Sequence, residues 1–183
     1  MCAECDPSSP TRIELILRPK FVEILGPYNI ADEFLGTGGG CGNEKSTNKP
    51  DLLWLTCDDG FENIRALVIE VDEDSHSDRD VTCEAKRISQ QFVYIQSAAS
   101  QQYGSADVRV LFLRYNPDAY DGPRTSGEDR IKNVAAVGDA FLHGDTWRVI
   151  SPLAPHLMYF YYHSRGQKHI DHMRNNPDAC VVI

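Results

Sequence analysis

Glu70 and Asp72 stand two residues apart at the end of an apolar run, ALVIEVD. In an extended strand that spacing sends both carboxylates from one face, while Ile69 and Val71 leave from the other. Two adjacent acids at the end of a buried strand repel each other unless a proton or a cation sits between them. Asp51 lies 19 positions before Glu70, directly after Pro50 and at the head of the run LLWLT. If the two strands are neighbours, Asp51 supplies a third oxygen ligand. Oxygen-only ligands select a hard cation, Mg²⁺ or Mn²⁺, which accepts one or two carboxylates and leaves other positions to water and substrate phosphate. That is the chemistry of metal-assisted phosphodiester hydrolysis. His76, four residues beyond Asp72, is placed to orient or deprotonate the attacking water. The plainer alternative is an edge strand ending in solvent, with Glu73, Asp74 and Asp78 continuing an exposed acidic loop.

The elements that must carry these residues follow from periodicity. Leu52–Thr56, Ala66–Asp72 and Val108–Tyr115 are short runs rich in aliphatic and β-branched residues, apolar on both faces, as in central strands covered by helices on each side. Between the second and third, Thr82 is a candidate cap for a helix whose Ala85, Ile88, Phe92, Ile95 and Ala99 recur at steps of three and four. Glu84, Lys86, Arg87 and Gln91 are expected on its outward face. Residues 12–35 hold helically spaced apolar positions broken by Pro19 and Gly26-Pro27, and residues 36–49 read as a flexible Gly-rich loop. Ser126, followed by Glu128 and Asp129, opens a further helix. An aromatic strand over 156–163 and a short polar helix near 167–176 complete the order. The expectation is a mixed α/β sheet with helices on both faces, one domain over 12–183, and a tail over 1–11.

Charge is unevenly distributed. The 183 residues include 27 acidic and 18 basic side chains, a net charge of -9. Residues 51–85 hold eleven acids against Arg65 and Arg79, which accounts for the whole excess, whereas residues 86–183 carry +2. The net charge therefore argues against a general electrostatic grip on nucleic acid as a property of the whole molecule. It does not argue against cation-dependent contact with phosphate. The absence of a long apolar stretch or a signal-like start points to a soluble intracellular protein, in nucleus or cytoplasm and off the membrane, with its six cysteines reduced. Cys2 and Cys5 form a lone C-x-x-C, half of a zinc site at most, consistent with the remnant of an additional N-terminal region in a longer chain. His163, His169 and His172 lack convincing zinc spacing, and surface or packing roles are expected for them.

Taken in order, K-P-D-L-L-W, A-L-V-I-E-V-D-E-D-S-H, C-E-A-K-R-I and V-L-F-L-R-Y-N-P-D-A-Y resemble the PD-(D/E)xK, or restriction-endonuclease-like, nuclease superfamily. The resemblance is closest to the branch around the very-short-patch repair endonucleases and covers residues 50–120. It implies a restriction-endonuclease-like core and a Mg²⁺- or Mn²⁺-dependent DNA endonuclease. Asp51 and Glu70 would correspond to the acidic metal ligands, with Asp72 as a further ligand and His76 assisting. The superfamily's usual lysine at the third motif position is Asp72 here, and Lys86 could reach back from the helix in its place. Glu23 and Glu33 are candidates for a glutamate from the first helix. Glu84, Lys86, Arg87 and Arg114 would form the surrounding shell or meet phosphate, with Arg114 either contacting DNA or holding a buried carboxylate. A homodimer is compatible with such an enzyme. Two rivals stand beside it: a nuclease-fold module that has lost turnover and acts in recognition, and a hydrolase of a small phosphorylated substrate.

Overall fold

A computed structural model of the chain describes residues 13–27, 50–58, 63–77, 79–105, 107–176 and 180–183, and the side chains of Glu14 and His76 lie outside that description. Five strands form one mixed sheet in sequence order: β1 (Leu52–Cys57), β2 (Ile64–Val71), β3 (Val108–Tyr115), β4 (His156–Phe160) and β5 (Val181–Val182). β1 runs antiparallel to β2, and the pairs from β2 to β5 are parallel. Each parallel step is made by a helix. α2 (Val81–Tyr103) joins β2 to β3, α3 (Gly127–His143) joins β3 to β4, and α4 (Gln167–Arg174) joins β4 to β5.

Strand alternation sorts the core into two layers. Leu67, Ile69, Val71, Leu111, Leu113 and Tyr115 pack with Phe21 and Leu25 of α1 (Ile13–Leu25) and with Ile131, Val134 and Phe141 of α3. Ala66, Val68, Val110 and Phe112 turn to the other side, against Ile88, Phe92 and Ile95 of α2 and Met173 of α4. β2 is buried along its whole length, as expected of a strand covered on both faces. The expectation of a mixed sheet with helices on both faces is met.

Several boundaries differ from the expectation. α1 runs through Pro19 rather than stopping there. Proline removes one backbone donor, but Leu17, Phe21 and Leu25 remain buried on one stripe. The cap of α2 is Asp80, whose carboxylate accepts from Thr82 N and Cys83 N; Thr82 is one residue inside the helix. The two-residue β5 had no run long enough to mark it. Cys83 is disulfide-bonded while Cys57 and Cys180 are free thiols, so the cysteines are not uniformly reduced. The Gly-rich stretch over 36–49, Glu33, Cys2 and Cys5 lie outside the described residues. Among the described residues, no helix is long and apolar enough to cross a membrane.

The topology aligns one end of the sheet. Val71, Tyr115 and Phe160 are neighbours at the carboxyl ends of β2, β3 and β4. Because β1 is antiparallel with Leu52 opposite Ile69, its first residues arrive at that same end. Phe112 is fully buried under α2, so Phe112→Ala should lower stability by about 3–5 kcal/mol in urea unfolding followed by circular dichroism. A loss below about 1 kcal/mol would mean that α2 does not depend on this contact.

Candidate functional site

Glu70 and Asp72 leave β2 on the α2 side of the sheet, continuing the alternation of Ala66 and Val68. Both are buried, at 2% and 0% exposure. Arg114 faces them from β3, where it is the register partner of Glu70. Asp51, one residue before β1, accepts a hydrogen bond from Val71 N at 2.8 Å. The antiparallel pairing thus brings Asp51 to the end of the strand that carries Glu70, as the spacing suggested.

Each carboxylate has its own partners. Asp72 is held by Arg114 through two bonds, Nε to Oδ2 at 2.6 Å and Nη2 to Oδ1 at 2.8 Å, and the Tyr162 hydroxyl donates to Oδ2 as well. Glu70 accepts from Arg87 at Oε2 and from Gln91 Nε2 at Oε1, the latter at 2.9 Å. Glu84 joins the two halves. Its Oε1 lies 2.8 Å from Arg114 Nη1 and 3.3 Å from Arg87 Nη1, and its Oε2 is 3.6 Å from the half-exposed Arg79.

Glu84, Arg87 and Gln91 therefore point inward, which corrects the expectation that they form the solvent face of α2. Glu84 and Gln91 are buried. Positions 84, 87, 91 and 95 follow steps of three and four, so these polar residues extend the same stripe as Ile88, Phe92 and Ile95. The stripe changes from apolar to charged where the helix passes over the charged end of β2. Lys86 is exposed, and Arg87 is the cation of α2 that meets Glu70. Glu23 is exposed on α1, on the opposite side of the sheet from Glu70, and does not join the cluster.

Burial is the largest influence on Glu70. It pushes the carboxyl up from 4.5 to about 7 although Arg87 pulls it down, and the charge of Asp51 adds to the rise. Arg87 is lowered by burial, but Glu70 and Glu84 outweigh this and raise it. Arg114, likewise buried, is raised by Asp72 and Glu84. Burial also raises the Tyr162 hydroxyl, and the charge of Asp72 adds to it, so Tyr162 acts as a donor to Asp72. Four carboxylates (Asp51, Glu70, Asp72 and Glu84) thus surround two largely buried guanidiniums, Arg87 and Arg114.

The sequence reading missed Gln91 as a partner of Glu70 and Tyr162 as a partner of Asp72. Gln91 was detectable from its place on the buried stripe. Tyr162 was not, because it lies 90 residues from Asp72 and only strand order brings it there. His163 and His169 are buried. Among the described residues, no group of three or more His, Cys, Asp or Glu side chains is arranged as a metal cluster. No family model matches the chain, and neither a curated protein nor a solved structure matches it.

Two outcomes follow from the buried charges. Arg114→Met would leave Asp72 and Glu84 without their shared cation and should cost about 3–5 kcal/mol in denaturant unfolding; a loss under about 1 kcal/mol would show that the pairs are dispensable. Glu70 is protonated to higher pH in the folded chain than in the unfolded one. Its contribution is therefore complete below pH 4.5 and is lost as pH rises through about 7. Measured in EDTA, wild type should lose stability relative to Glu70→Gln across that window, and parallel curves would refute the assignment.

Proposed function

We propose that the chain is a metal-dependent endonuclease that hydrolyses DNA phosphodiester bonds, with Asp51 and Glu70 holding a Mg²⁺ or Mn²⁺ ion. The observation that carries this reading is the meeting of Asp51 with the buried Glu70 at the carboxyl end of β2, where Glu70 accepts its charge only near neutral pH. A divalent cation favours the charged form of Glu70, and a donor set made wholly of oxygen suits these two ions. When bound, such an ion polarises a phosphate and lowers the pKa of a coordinated water.

The remaining residues take supporting roles. Arg114 and Tyr162 fix Asp72, so Asp72 is assigned to holding the end of β2 rather than to the ion as third ligand. Arg87 and Gln91 orient Glu70. His76, at the end of the 3-10 turn Glu73–His76, orients or deprotonates the attacking water. The order α1, antiparallel β1–β2, α2, β3 supports the restriction-endonuclease-like core suggested by the motifs, and Arg87 stands in for the missing lysine as the cation beside Glu70.

One observation favours a second reading, a nuclease-fold module without turnover: each carboxylate oxygen of Glu70 and Asp72 already accepts a hydrogen bond. Cleavage of supercoiled and linear DNA in Mg²⁺, Mn²⁺ or EDTA separates the two. The nuclease should cut only with metal, and the Asp51→Ala, Glu70→Ala double variant should lose roughly a hundredfold or more, the scale of removing a group that stabilises developing charge. Equal cleavage by the double variant would remove the enzyme claim. Absence of both cleavage and Mn²⁺ binding by calorimetry would establish the module. Binding to DNA should weaken steeply as salt rises, which a hydrolase of small phosphorylated substrates would not show.

A further inference from the structure

The turn after Asp72 has an unusual backbone. Asp74 (φ 49°, ψ 29°) and Ser75 (φ 53°, ψ 29°) are consecutive non-glycine residues in the left-handed region. Backbone of this kind is strained for a residue with a Cβ and persists where its surroundings over-determine it. Here those surroundings come from two distant segments. Asp118, after β3, accepts from Asp74 N at 2.7 Å. His163, after β4, donates from Nε2 to Asp74 Oδ1 at 2.9 Å, and its own backbone N–H donates to Ser75 Oγ at 3.3 Å. A carboxylate only accepts, so the donor is the imidazole Nε2–H. Arg165 adds a longer contact to Asp74 at 3.2 Å.

The clamp is packed as well as hydrogen-bonded. Ser75 is fully buried and His163 nearly so. Gly166 closes over them: a Cβ there would fall 2.5 Å from Ser75 Cβ and 2.8 Å from the Tyr162 ring. The same short segment therefore reaches Asp72 through Tyr162 and the following turn through His163. That turn also carries His76.

We propose that His163 is a positioning residue of the carboxylate site: by holding Asp74 it fixes the strained turn that leads from Asp72 to His76. The inference rests on the nuclease reading above for its catalytic consequence, and on the geometry of residues 72–76 and 162–166 for the rest. His163 touches no reacting atom. It acts through the backbone that leads from the fixed end of β2 to His76, the residue assigned to the attacking water, and misplacement of a reacting group by about 1 Å costs about a hundredfold in rate.

Two measurements on the full chain test it, using His163→Leu, which removes the donor, and His163→Gln, whose amide nitrogen can occupy the place of Nε2. In Mn²⁺-dependent plasmid cleavage, His163→Leu should lower kcat about a hundredfold with KM for DNA changed less than about twofold, and His163→Gln should recover most of the loss. In amide hydrogen exchange, Asp74 and Ser75 should exchange at least about tenfold faster in His163→Leu and return towards wild type in His163→Gln. Unchanged kcat in His163→Leu, or a glutamine variant no better than leucine, overturns the proposal. So does unchanged exchange at Asp74 and Ser75. An inactive wild type would instead overturn the nuclease reading and the positioning role with it, while the exchange data still decide whether His163 holds the turn. If His163→Leu does not fold, Asp74→Gly removes the carboxylate while relieving the positive φ. It should keep its melting temperature and lose kcat, and retained kcat overturns the proposal.

Discussion

Arg114 is buried at the carboxyl end of β3, with its guanidinium shared between Asp72 on β2 and Glu84 on α2. A cation in that position is stable only if carboxylates surround it, and those carboxylates are stable only if it stays. The group therefore ties together the end of the central strand, its parallel neighbour and the crossover helix between them. Tyr162 extends the network to the segment after β4. Planar, bidentate pairing with Asp72 fixes direction as well as distance, so the end of β2 is placed by side chains as much as by the sheet ladder.

Once Asp72 and Glu84 are committed to Arg114, the remaining acids are distinguished by what is left for them. Glu70 has Arg87, which Glu84 also claims, and a neutral amide from Gln91. Asp51 lies close enough for its charge to push Glu70 further up. The site thus separates into a half around Asp72, held by a bidentate guanidinium, and a half around Glu70, where burial and the charge of Asp51 outweigh the pull of Arg87.

The acidic excess of the sequence takes on a different meaning in this light. The segment 51–85 accounts for the whole net charge of -9, but its members do not form one solvated patch. Glu70, Asp72 and Glu84 are interior, Asp80 caps a helix, and Asp74 anchors a strained turn.

Much of this could be read in the sequence, because it depends on local period. The central strands β2 and β3, the apolar stripe of α2 and the pairing of Glu70 and Asp72 on one face follow from spacings of two, three and four residues in segments of clear pattern; β1, expected to be central as well, lies at the sheet edge, and Asp51 meets Glu70 only because β1 pairs antiparallel with β2. The same periodicity, applied strictly, would have put Glu84, Arg87 and Gln91 on the buried side of α2; polarity misdirects there, because a charged strand end needs a charged helix stripe above it. Other features depended on the order of strands in space. Which cation holds which carboxylate was settled by β2 and β3 lying parallel in register, and the roles of Tyr162, His163 and Asp118 by β4 delivering its following residues to the same edge. Local sequence determines which faces are buried; only the tertiary structure decides which charges are buried together, because Coulomb interactions and hydrogen bonds join residues through distance in space rather than along the chain.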